Sequence, residues 1–324
     1  MNHLDRSIIE KLAQIGPRLP WVADWLLNDV WRPDRYDHKN PLAFLNRGED
    51  AVNLFEQILS AAADRTYLEF LGQPDPGKRL LPHLVHPDCA VVVFDGLSLR
   101  EIPMILNLAS KSGLKITRID TSLAAIPSET LDYIDREFPC GAISASQLPS
   151  RKELKHKNIS AIYSGNINQP ISKTDARTSL LVWSSFPDET YNDSSARFEN
   201  HFHNIHTIFE TAWMNTIQQI TSKKKIIITS DHGYVYWGTG MDFPRNSSEL
   251  GPLNQYFGND RFVSLNANPN PPPGDDVVID KSRNVALIRG RVKTRSTSAA
   301  STRLYKHGGL SLMEMITPWI ELET

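Results

Sequence analysis

The chain has 324 residues, 40% hydrophobic and 22% charged, the balance of a folded globular protein rather than of a disordered or fibrous one. Its net charge of −2 excludes the global basic field of a dedicated nucleic-acid binder. No apolar run approaches the roughly 20 residues of a membrane span, and the start Met1-Asn2-His3-Leu4-Asp5-Arg6 has no signal-peptide core, so a soluble, cytoplasmic chain without membrane contact is expected.

In chain order, residues 7–70 read as helical. Ile8, Ile9, Leu12 and Ile15 share one face, and Ala51-Val52, Leu54-Phe55 and Ile58-Leu59 repeat the spacing. Trp21, Trp25 and Trp31 are expected to pack. Gly72-Gln73-Pro74-Asp75-Pro76-Gly77 breaks the pattern and marks a linker, which divides the chain into a helical N-terminal region, 1–85, and a main domain, 86–324. Beyond it the texture alternates. Strand 89–94 leads to a helix near 98–110, strand 114–119 to a helix over 128–138, and strands at 159–163 and 179–185 follow. A long helix over 195–221 precedes strand 225–230. Such alternation predicts an α/β sandwich with a mostly parallel central sheet and crossover helices. Residues 238–283, rich in glycine and proline, read as an irregular insertion of the lid or binding-wall kind. Asn284–Ile288 is a further strand. Cys89 and Cys140 form no C-x-x-C pair and read as inert core thiols.

Chemistry concentrates at strand ends. Val91-Val92-Val93-Phe94 runs into Asp95-Gly96, Ile226-Ile227-Ile228 into Thr229-Ser230-Asp231-His232-Gly233, and Leu180–Ser185 toward Asp188 and Asp193. In a parallel sheet Asp95, Asp188 and Asp231 face one rim, where open α/β sheets bind ligands. Crowded carboxylates resist sharing a dry site unless cations join them. Two divalent metal ions about 4 Å apart are the usual arrangement for phosphoryl displacement. The imidazoles of His232 and His307 favour zinc, with manganese second, over calcium or magnesium. Each motif has a plainer use. Asp95 could cap the helix near Ser98, and Ser128-Glu129-Thr130 could be a capping sequence. His307 could be a loop residue, and His201, His203 and His206 solvated or packed helix residues. The runs Lys223–Lys225 and Arg151–Lys157 read as solvated faces.

Phe94-Asp95-Gly96, Ile126-Pro127-Ser128-Glu129-Thr130, Ser230-Asp231-His232-Gly233 and His307-Gly308-Gly309-Leu310-Ser311-Leu312-Met313-Glu314 together resemble the PglZ domain of the alkaline phosphatase superfamily. The resemblance covers roughly residues 86–324, with the motifs in the family's order. It implies a bimetallic phosphoric-ester hydrolase with a Thr or Ser nucleophile: Thr130 on the pattern P-x-x-T, with Ser128 as runner-up. Asp95, Asp231 and His232 would hold one metal. His307 and Asp188 would hold the other, together with Asp193 or a histidine such as His201 or His203. The stretch Asp188–Asp193 lacks the glycine common before the second acid. The resemblance further implies a phosphoester substrate, nucleotide or nucleic acid among the candidates, and partner proteins of a bacterial phage-defence system. The alternative is a non-catalytic metal-binding scaffold that docks proteins of such a complex. Tyr234, Tyr236, Trp237, Tyr256 and Phe257 could supply a base-stacking wall, which favours a phosphodiester over a monoester. Arg289, Arg291, Lys293, Arg295, Arg303 and Lys306 could extend an anionic-substrate path.

Overall fold

The structure, a computed structural model, describes residues 10–12, 14, 16–61, 65–72, 78–172, 177–193, 198–238, 240–243, 245–268, 270–294 and 305–324, without the side chains of 192, 193 and 198. Ile8, Ile9 and Ile15, positions 73–77, residues 194–197, the Asp193 side chain, Arg295 and Arg303 lie outside the described residues. In chain order the principal elements are α1 (Leu19–Trp25), α2 (Pro41–Ala61), β1 (Cys89–Phe94), α3 (Ile102–Lys111), β2 (Lys115–Leu123), α4 (Thr130–Glu137), β3 (Ile159–Ser164) and β4 (Ser179–Ser184). They continue with α5 (Asp188–Asp193), α6 (Phe198–Asn215), β5 (Lys225–Thr229), β6 (Val235–Tyr236), α7 (Ser247–Phe257), β7 (Phe262–Ser264), β8 (Val277–Asp280), β9 (Val285–Ile288), β10 (Tyr305–Lys306), α8 (Leu312–Met315) and β11 (Ile316–Glu323).

A six-stranded sheet in the order β2-β11-β5-β1-β4-β3 forms the centre. Strand β1 is buried along its whole length because helices cover both faces. Its alternate residues Ala90, Val92 and Phe94 join Val52 and Phe55 of α2, Ile102 and Ile105 of α3, and Phe209 and Trp213 of α6. Val91 and Val93 face the other way and pack with Trp183, Ile227, Trp319 and, from α4, Tyr133 and Ile134. Each such fully buried aliphatic side chain stabilises the fold by roughly 1.5–3 kcal/mol. Strands β1, β3, β4 and β5 pair in parallel. Strand β11 runs antiparallel to both β5 and β2 and lies inside the sheet. Its first residue therefore shares a rim with the carboxyl ends of the others. Pro318 sits within this interior strand; it lacks an N–H, yet its carbonyl accepts from the Thr229 hydroxyl at 2.8 Å.

Three parts of the chain differ from expectation, the first being β11 itself, which the sequence does not predict as a strand. Strand β2 extends to Leu123, paired along β11. The 238–283 segment, expected to be irregular, contains α7 and strands β7 and β8, which flank β9 in a three-stranded antiparallel sheet. A reciprocal cap starts α7: Asn246 accepts from the amides of Ser248 and Glu249, and Glu249 accepts from the amide of Asn246. Phe243, Leu253, Phe257, Ala286, Ile288 and Val292 form its own small core. The helices before residue 85 pack on the main sheet. Glu49 of α2 is fully buried between Arg100, at 2.5 Å, and Arg291, at 2.6 Å.

Candidate metal centre

The carboxyl rim of the sheet gathers four of the sequence motifs. Asp95 follows β1, its amide donating to the Ser184 carbonyl at 2.9 Å. It is not the helix cap: Ser98 and Glu101 form that cap reciprocally, which leaves the Asp95 carboxylate facing the rim. Gly96 has φ +70°, and a Cβ there would lie 2.7 Å from the Tyr305 hydroxyl and 3.0 Å from Asp188 Cβ. Glycine is the one residue that fits both the backbone and the space. Gly233 is equally confined, with a Cβ position 2.1 Å from the Met313 carbonyl oxygen.

Asp231 and His232 follow β5 and are fully buried. Asp231 Oδ1 accepts from the Gly96 amide at 3.1 Å, and Oδ2 accepts from Thr130 Oγ1 at 2.5 Å. His232 Nδ1 donates to the Gly233 carbonyl at 2.9 Å. That bond leaves Nε2 as the inward nitrogen, 3.4 Å from Asp95 Oδ1 and 3.7 Å from Asp231 Oδ2. Across the rim Asp188 opens α5, and its amide donates to the Asp95 carbonyl at 3.0 Å. The Tyr305 hydroxyl donates to its Oδ1. His307 stacks on His232, ring centroids 3.9 Å apart and planes 13° from parallel, with its Nε2 3.8 Å from Asp188 Oδ1.

Two groups of side chains can therefore each surround one cation: Asp95, Asp231 and His232, and Asp188, His232 and His307. Within each group the ligand atoms lie within 4.8 Å of one another. The electrostatics fit such an occupant. Two like charges about 4 Å apart repel by roughly 4 kcal/mol at an effective dielectric of 20. Burial, and then the neighbouring Asp231, push the Asp95 carboxyl up to about 7. Burial pulls the His232 imidazole down, but Asp231 and Asp95 outweigh it and hold the group well above its ordinary value. Both shifts fall on oxygen and nitrogen donors for which a divalent cation would compete with protons.

Thr130 is the first residue of α4, whose cap residue Glu129 makes no side-chain capping bond. Ser128 is buried and committed to the turn after His307: its hydroxyl donates to the Gly309 carbonyl at 3.2 Å and accepts from the Gly308 amide at 2.8 Å. His201 lies apart, Nε2 3.0 Å from Thr190 Oγ1, and His203 is exposed. Tyr305 and Trp183, whose indole N–H donates to Asp95 Oδ2 at 3.3 Å, carried no sequence signal; their contacts are purely tertiary.

Several surrounding expectations are corrected. Tyr234, Tyr236, Trp237, Tyr256 and Phe257 are all buried, so they are packing residues and form no open stacking wall. Arg291 is bound to Glu49, and Lys293 is buried 3.3 Å from Asp242, so neither belongs to an exposed anionic path. Lys223 is not on a solvated face: it is buried and donates to the Pro87 and Thr178 carbonyls. Among the described residues no helix is long and apolar enough to cross a membrane.

No protein-family model matches the chain, and no curated protein matches it in sequence. Among solved structures, murine ectonucleotide pyrophosphatase/phosphodiesterase 5 is 11% identical with a TM-score of 0.42, over 72% of this chain and 87% of that one. The human protein is 10% identical with a TM-score of 0.38, over the same shares. Phosphonoacetate hydrolase from Sinorhizobium meliloti is 10% identical with a TM-score of 0.36, over 72% of this chain and 89% of that one. Likenesses this distant say nothing of what this chain acts on.

Proposed function

We propose that the chain is a metal-dependent phosphoric-ester hydrolase with Thr130 as its nucleophile. The observation that carries this reading is the Thr130 hydroxyl, 2.5 Å from Asp231 Oδ2, at an uncapped helix start beside two groups of metal-type donors. Free amides at a helix N-terminus suit a phosphate. The bond to Asp231 fixes the Thr130 oxygen at the edge of the first donor group. One divalent cation would be held by Asp95, Asp231 and His232, and another by Asp188 and His307, with zinc favoured over manganese by the imidazoles. When bound, such cations supply Lewis acidity that favours an alkoxide and offsets charge on the leaving oxygen. Thr130 Oγ1, its proton passing through solvent to the departing ester oxygen, forms a bond to phosphorus; water then cleaves the resulting Thr130 phosphodiester, restoring the hydroxyl and releasing a phosphomonoester.

We favour phosphodiesters as substrates. Asp95, Asp231, His232 and Thr130 have no lysine or arginine partner among the described residues, and a doubly charged monoester would need such cations more than a singly charged diester. A role in phage defence rests on the motif resemblance alone. The deciding experiment measures hydrolysis of bis-p-nitrophenyl phosphate and p-nitrophenyl phosphate with zinc, with manganese and with a chelator. Chelator-sensitive turnover, faster on the diester, is expected. Metal binding without turnover of either ester would leave the non-catalytic scaffold as the better reading.

A further inference from the structure

We infer that Glu129 is a positioning residue for the second metal group, holding His307 with Nε2 as its ligand nitrogen. This rests on the metal-centre reading above. Glu129 occupies the cap position of α4, but its side chain makes no capping bond. It turns away from its own helix instead, placing Oε1 3.1 Å from His307 Nδ1. The Ser128 carbonyl lies 3.1 Å from the same nitrogen. Two acceptors on one nitrogen require it to carry a proton, so in the neutral ring the lone pair is on Nε2, 3.8 Å from Asp188 Oδ1. In its neutral form His232 adopts the same tautomer through the Gly233 carbonyl, so of the two imidazoles His307 is the one whose Nδ1 meets a carboxylate.

The turn after His307 has room for this arrangement. Gly308 has φ +107°, and a Cβ on it would lie 2.9 Å from Glu129 Oε1. Any larger residue would displace the carboxylate or strain the backbone. Ser128, bonded to both Gly308 and Gly309, fixes that turn against the start of α4. The Glu129 and His307 side chains are 28% and 20% exposed, so the pair sits on the lip of the centre, and a substitution at 129 leaves the core intact.

The test uses the full chain, stripped of metal and titrated with zinc against a competing chelator. Wild type is expected to take up two ions. Glu129→Ala should weaken one of them by about 10–100-fold, the usual effect of losing a partner behind a metal-bound imidazole, and leave the other unchanged. His307→Ala should affect the same ion. Glu129→Gln keeps an acceptor oxygen without the charge, so its loss should be smaller than that of Glu129→Ala. Two unchanged affinities in Glu129→Ala would overturn this inference alone, as would equal weakening of both ions. A wild-type chain that binds no zinc would overturn the metal-centre reading and this inference with it.

Discussion

Among single residues, Thr130 and Ser128 differ most sharply in what their hydroxyls touch. Thr130→Ala is expected to abolish turnover while both metal ions stay bound, because the hydroxyl contributes to the chemistry rather than to the charge of the site. Ser128→Ala should instead keep measurable turnover and lower stability, since its hydroxyl ties Gly308 and Gly309 together. An inactive Ser128→Ala beside an active Thr130→Ala would reverse these assignments. Asp231→Ala should lose the ion of the first group, read by metal analysis, together with activity. The pH dependence of stability has a source away from the rim. Glu56 is fully buried, one oxygen accepting from the Leu312 amide and the other unpaired, and burial raises its pKa from 4.5 to about 7. A carboxyl raised on folding contributes stability that is complete below its unfolded value and is lost as pH rises through the folded one. Between about pH 4.5 and 7 that loss amounts to about 3 kcal/mol. Glu56→Gln should therefore raise the melting temperature at pH 8 and change it little at pH 5. An equal shift at both would show that Glu56 is not the titrating group.

For the elements, the 238–283 segment acts as a brace. Arg261, at the start of its sheet, is buried and reaches Glu314 at 2.7 and 2.9 Å and the carbonyls of Gly290 and Val292. Glu314 in turn accepts from the amides of Gly309 and Ser311, so the segment bears on the turn that carries His307. Arg261→Ala leaves a buried carboxylate uncompensated, which costs about 3–5 kcal/mol. Urea unfolding measures it. A loss below about 1 kcal/mol, the range of a surface pair, would refute the brace.

In the whole molecule, the N-terminal helices complete the core of the main sheet. Val52 and Phe55 pack in the same cluster as Val92 and Phe94. A Cβ on Gly48 would lie 2.2 Å from the Trp31 ring, so that glycine lets the tryptophan pack directly against α2. Without residues 1–85, Arg100 and Arg291 would each lose Glu49 while staying buried. The fragment 86–324 is therefore expected to be insoluble or to lack a cooperative melt. A sharp unfolding transition in that fragment would show that the main domain stands alone.

The parallel strands, their order along the chain and the strand-end motifs were legible in the sequence, because a strand covered on both faces must be continuously apolar and its end must turn. Asp95, Asp231 and His232 stand out for that reason, whereas Thr130 stands out only through the P-x-x-T pattern of the family resemblance. The helix and sheet within 238–283 were hidden behind glycine and proline, which forbid regular structure only where their own backbone demands it; a cap at Asn246 and a small apolar core were enough to build around them. Strand β11 was hidden because an interior strand containing proline contradicts local preference, and only pairing with β2 and β5 on both sides stabilises it. Which of Ser128 and Thr130 faces the rim, which aromatics are buried, and that Glu129 turns to His307 rather than capping α4 depend on contacts between residues more than a hundred positions apart. Periodicity and composition describe what each segment can bury. Only the packed molecule decides which polar side chains are left to meet.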